Sequence, residues 1–208
     1  MSKPPTFLTL PSELRNKIYT TLLVRNEPLK IWHHEANIDP TILRVNKQIH
    51  QEASFQLYSR NTFDFAGGFY LLTHFADGMG KENASLIGHI RLEFPTLDRV
   101  SPRSNIFKIS DFSARVLGRI QSHFVNVKNL TVPANSFEEL AFQLGSTDVE
   151  GLGAVLGLVN AWLCAISSVE RVVVEVYAGL DVDVRRVMEG LGWHVRTVER
   201  EKKFGDKV

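Results

Sequence analysis

Three short stretches in which apolar and polar residues alternate constrain this chain more than any other feature. "HIRLEF" (His89 to Phe94), "NLTV" (Asn129 to Val132) and "RVVVEVY" (Arg171 to Tyr177) each follow a helical pattern, and Ile90, Leu130 and Val172 stand 40 and 42 residues apart. Strands separated by helix-length crossovers pair in parallel, with right-handed connections. Parallel strands covered on both faces read as continuous apolar runs. Here Ile90, Leu92, Phe94, Leu130, Val132, Val172, Val174 and Val176 share one face, while Arg91, Glu93, Thr131, Glu175, Tyr177, His194 and Arg196 share the other. Helices are therefore expected on one side only. The second side is left as an open, mixed-charge face that either binds a partner or meets solvent.

Two helical patterns precede this array. Leu10, Leu14, Ile18 and Leu22 recur four apart, and Tyr19 and Leu23 widen the stripe. Pro11 suits the first turn, and Glu13 favours the positive end of the helix. If the stripe packs inward, Leu10 and Tyr19 are the residues left over. Asp39-Pro40 reads as the start of a second helix, with Ile42, Val45, Ile49, Ala53 and Leu57 as its apolar face. "PLKIW" (Pro28 to Trp32) and "NTFDF" (Asn61 to Phe65) read as short strands. Further helices are expected over 68–76 with Gly78 and Gly80 as breakers, after Ser110-Asp111, and from a Ser136/Glu139 capping box. Two more cover Leu152 to Ile166 and the segment after Asp181, and "WHVRTVE" (Trp193 to Glu199) closes the strands. The expected fold is α/β: N-terminal helices followed by a strand–helix array. Its sheet is a single, mainly parallel layer with helices on one face, a leucine-rich-repeat-like half-solenoid. Residues 1–65 form a helical module with an inserted short strand, 66–199 the α/β region packed on it, and 200–208 a polar tail.

Composition narrows the function classes. With 24 Lys and Arg against 23 Asp and Glu, no whole-domain positive field exists to hold a phosphate backbone, so no nucleic-acid partner is expected. The most apolar run, Leu152 to Ile166, is too short to span a bilayer comfortably and contains Asn160, so no membrane partner is expected. The single cysteine, Cys164, precludes an intrachain disulfide and reads as inert core, and an intracellular setting follows. Catalytic and cofactor signatures are missing from the residues. "GMGK" (Gly78 to Lys81) lacks the spacing of a phosphate loop and reads as a helix-ending turn. In "WHHE" (Trp32 to Glu35) the two imidazoles of a strand point oppositely, away from a shared metal. Asp181 and Asp183 follow a strand end, where α/β folds bind ligands, but Asp181 reads as a helix cap. No enzyme, metal or cofactor is expected.

Two stretches carry a resemblance. "FLTLPSELRNKIYTTLL" (Phe7 to Leu23) resembles the opening helix of the F-box. Together with "ILRVNKQIHQEASFQLYSRNTFDF" (Ile42 to Phe65), it is similar to a large group of filamentous-fungal F-box-like proteins. Their pattern is LPxELRxxIYxxLL, then LLxVxxQIxxEAxxxLYxxNxF. The resemblance covers under a third of the chain. It implies docking on the Skp-family adaptor of a cullin–RING ubiquitin ligase, with Leu10, Pro11, Leu14 and Ile18 as adaptor contacts and the remaining chain capturing a target. In an ordinary F-box the second helix follows the first closely, whereas here Val24 to Asp39 intervenes. The charged matches Glu13, Arg15, Gln48 and Glu52 fit either adaptor contacts or a polar network fixing one helix against the other.

Overall fold

The computed structural model describes residues 6–30, 38–68, 71–101, 106–144 and 149–200. In chain order its elements are α1 (Ser12–Leu23), β1 (Leu29–Lys30), α2 (Lys47–Arg60), β2 (Thr62–Asp64), α3 (Leu71–Ser85), β3 (His89–Arg91), β4 (Leu97–Arg99), β5 (Phe107–Ile109), α4 (Asp111–His123), β6 (Asn129–Val132), α5 (Ala134–Leu144), α6 (Val149–Cys164), β7 (Arg171–Tyr177), α7 (Val182–Gly190) and β8 (His194–Val198). Six strands form one sheet in the order β1-β2-β3-β6-β7-β8, and every pairing is parallel. Neighbours in the sheet are successive in the chain apart from one antiparallel hairpin, β4–β5. Crossovers that all step the same way and all turn right-handedly put their helices on one side. The sheet stays open, with β1 and β8 at its edges.

The apolar face lies inward as its alternation requires. Ile90, Leu92, Phe94, Leu130, Val132, Val172, Val174 and Val176 are all buried. They belong to a core cluster that runs from Tyr19 and Leu23 on α1, through Phe65 and Phe124, to Trp193 before β8. Phe65 meets Phe75 and Phe124 edge-on at 5.5 and 5.9 Å, an arrangement aromatic rings favour.

The two N-terminal helices each lead into a strand of this sheet: Leu29 pairs with Phe63, and Phe63 with Ile90. Asn61 holds the junction. Its Nδ2 donates to the carbonyls of Leu23 and Leu57 at 2.9 and 2.8 Å, and its Oδ1 accepts from Arg25 N at 2.8 Å. One buried amide thus satisfies groups at the ends of both helices, where unpaired carbonyls accumulate.

Several local expectations need correcting. Asp39 and Pro40 open only a 3-10 helix, Pro40–Arg44, with Asp39 accepting from Thr41 N at 3.0 Å. The α-helix starts afresh from Asn46, which accepts from Ile49 N at 2.9 Å, so Val45 falls off the buried stripe and is exposed. Gly80, with φ 78°, breaks α3 as expected, but Gly78 does not, and the helix resumes to Ser85. α5 begins at Ala134, so Ser136 is no cap; its hydroxyl instead accepts from Phe94 N at 2.6 Å and ties the segment after β3 to the helix. Asp181 caps its helix as expected, and Ser110 caps the helix expected after Ser110-Asp111. Cys164 is exposed, not core, because α6 turns Val155, Val159, Trp162 and Leu163 inward. The hairpin was not anticipated; its two strands are too short to alternate visibly. "WHHE", Ile31 and residues 201–208 lie outside the described residues.

Replacing Asn61 with Ala removes its hydrogen bonds to the Leu23 and Leu57 carbonyls and from the Arg25 amide. It is expected to lower stability by about 2–4 kcal/mol. Urea denaturation should show this as a lower midpoint at unchanged slope.

Candidate functional site

Two surfaces carry the residues singled out from the sequence. On α1 the apolar stripe does not face the core: Leu14 is 45% and Ile18 37% exposed. Pro11 is exposed as well, while Leu10 and Leu22 are half-buried. The buried residues are Arg15, Tyr19 and Leu23, one position further on. This corrects the expectation that Tyr19 would be left over.

The cause is a carboxylate on α2. Glu52 accepts from Arg15 Nε at 2.8 Å and Nη2 at 2.6 Å, from Tyr19 Oη at 2.9 Å and from Gln48 Nε2 at 3.0 Å. Arg15 Nη1 also donates to the Leu10 carbonyl at 2.6 Å, and the Phe7 ring packs 5.8 Å from that of Tyr19. A bidentate arginine–carboxylate pair fixes orientation as well as distance. Here it rolls α1 by one residue, about 100°, and turns Leu14 and Ile18 outward. Arg15, Gln48 and Glu52 therefore act within the chain as the network between the helices. The Arg15 hydrogen bond, with help from Gln48 and Tyr19 and against the opposing effect of burial, brings the Glu52 carboxyl down to about 2. Burial first, and then the bond to Glu52, raise the Tyr19 phenol to about 12.

The second surface is the uncovered side of the sheet. Strand register aligns Lys30, Asp64, Arg91, Thr131, Val173 and His194 in one row, with Glu175 and Arg196 paired in the next. Arg91 donates from Nη1 to Asp64 at 3.1 Å and reaches across β6 with Nη2 to Glu175 at 2.5 Å. The other Glu175 oxygen accepts from Arg196. Asp64 and Glu175 are only 1% and 6% exposed. The face is thus an ordered ladder of alternating charge with its carboxylates buried. Burial lowers the affinity of Arg91 for its proton, but the two carboxylates more than restore it.

Over the carboxyl ends of the strands lies a cleft of about 560 Å³ whose walls include Lys30, Asp64, Arg91, Glu175, Tyr177 and Arg196. Tyr177 lies under the Arg200 guanidinium, 4.9 Å from its ring centre. Glu93, Thr131 and His194 stand outside the walls. Glu93 accepts from Gly67 N at 2.7 Å; burial raises its carboxyl above the usual range, and that bond opposes the rise. Asp64 and Lys30 escaped the sequence reading, although Asp64 stands out of phase with Phe63 and Phe65 in "NTFDF".

Among the described residues no group of three or more His, Cys, Asp or Glu is placed to hold a metal ion, and no helix is long and apolar enough to cross a membrane. Asp181 accepts from Asp183 N and Val184 N as a cap, and Asp183 pairs with Arg186 at 2.6 Å. No family model, curated protein or solved structure matches this chain.

The Glu52 network has a pH signature. Its carboxyl is depressed, so its contribution is complete above the unfolded value of about 4.3 and is lost as pH falls through about 2. Urea midpoints measured between those values should decline in the parent chain, and Glu52→Gln should flatten that decline. At the alkaline end the raised Tyr19 phenol acts oppositely: its share is complete below about 10 and disappears as pH rises through about 12.

Proposed function

We propose that this chain is a non-enzymatic protein-interaction module of the F-box-like kind. α1 docks on a Skp-type ubiquitin-ligase adaptor through Leu10, Pro11, Leu14 and Ile18, and the open sheet face captures a target protein. The observation that carries the reading is a division within the N-terminal motif. Arg15, Tyr19, Gln48 and Glu52 are engaged inside the chain, whereas Leu14 and Ile18 face outward and contribute little to the core. Apolar side chains presented in a row on a helix are a common means of docking a partner helix. A stable dock buries about 1,200–2,000 Å² in total, so surface beyond α1 must take part; Leu8 and the α2 residue Phe55 are also exposed.

A second reading keeps the interaction class without the ligase. β1 and β2 are strands of the main sheet, and the Glu52 network locks the motif helices to each other. Those facts favour a stand-alone interaction or structural protein in which the F-box-like helices serve one integrated fold.

A direct binding assay with a purified fungal Skp-type adaptor separates the two. Under the first reading the parent chain binds, and the Leu14→Ala/Ile18→Ala double variant binds at least about tenfold more weakly. Its stability should stay within about 0.5 kcal/mol of the parent, as for surface substitutions generally. Failure of the parent chain to bind leaves the second reading.

A further inference from the structure

We propose that the cleft over the carboxyl ends of the strands binds an acidic, extended peptide segment of a partner protein, laid across the sheet from Lys30 to Arg196. The inference rests on the reading of the chain as an interaction module, and it names the chemistry that the open face takes.

The charges in the walls are formally balanced but unequally available. Asp64 and Glu175 are buried and already committed to Arg91 and Arg196. The cations remain accessible: Lys30 is exposed and makes no ion pair among the described residues, and the Arg196 side chain is 60% exposed. Arg91 spends Nη1 and Nη2 on its carboxylates, so the accessible positive charge rests with Lys30 and Arg196. Among the described residues of the walls, Glu199 is the one exposed acid.

Position agrees with charge. α5 begins in the wall, at Ala134 and Asn135. The first amides of a helix have no partner within it, and its start carries partial positive charge. Dimensions select an extended segment. Six strands make five spacings of about 4.8 Å, or about 24 Å, which an extended chain covers in about seven residues.

The test uses fluorescence anisotropy with the full chain at low salt. The probe is a fluorescein-labelled peptide of about eight residues alternating glutamate with glycine, compared with its lysine counterpart. Saturable binding is expected for the glutamate peptide and none for the lysine peptide. Lys30→Ala and Arg196→Ala should each weaken binding about fivefold, Arg196→Lys by less than about twofold, and Leu14→Ala not at all. Among the described residues Lys30 has no ion-pair partner to lose, so its variant keeps the test valid if Arg196→Ala disturbs the ladder. Equal binding of both peptides, binding by the two alanine variants like the parent, or displacement by inorganic phosphate at matched ionic strength overturns the proposal. No adaptor is present in the assay, so its failure is distinct from failure of α1 to dock.

Discussion

Parallel pairing in chain order leaves only one side of this sheet for the crossovers to cover. The apolar half of the alternation collects on that side, from Phe63 on β2 to Val176 on β7, with Val173 the exception on the open face. The other side then holds the polar half of every alternation, on strands only about 4.8 Å apart. Charges that close either pair or repel. Arg91 resolves the conflict by bridging Asp64 and Glu175, and Arg196 takes the remaining oxygen of Glu175. A carboxylate as buried as Glu175 without such partners would cost several kcal/mol, so the ladder is a condition of the open face rather than an ornament on it.

A second carboxylate, Glu52, decides the orientation of α1. A stripe of leucines usually turns inward because burial of apolar area favours it. Here an arginine fork, a phenol and an amide converge on Glu52 from two helices, and that geometry is met only with Arg15, Tyr19 and Leu23 inward. Tyr19 and Leu23 supply apolar burial on the inward face as well, so little is lost by leaving Leu14 and Ile18 in water. The motif thereby splits into an internal half and an external half, and the external half is what another protein can reach.

Much of the fold was legible because period and spacing are local. The alternation of Arg171 to Tyr177 assigns Val172, Val174 and Val176 to the core, and Asp181 and Ser110 announce helix starts through hydrogen bonds within three residues. Where local rules competed, the reading slipped. Asp39-Pro40 and Asn46 are both valid starts, and the later one opens the α-helix. Ser136 resembles a cap, yet the Phe94 amide, brought from 42 residues away, claims its hydroxyl. The hairpin β4–β5 and the surface position of Cys164 depend on packing that no short window contains.

The sequence by itself determined a parallel, one-sided α/β array with an apolar face and a charged face, because side-chain parity along a strand is set by backbone geometry. The F-box-like resemblance also picked out Glu13, Arg15, Gln48 and Glu52, and left open whether they met an adaptor or formed a network between the helices. Only the tertiary structure decided the roll of α1 and the shape of the cleft. Those rest on bonds between residues 37 apart, Arg15 with Glu52, and 84 apart, Arg91 with Glu175. Pairings at that separation are set by how distant segments pack, so no local pattern encodes which partner each charge will find.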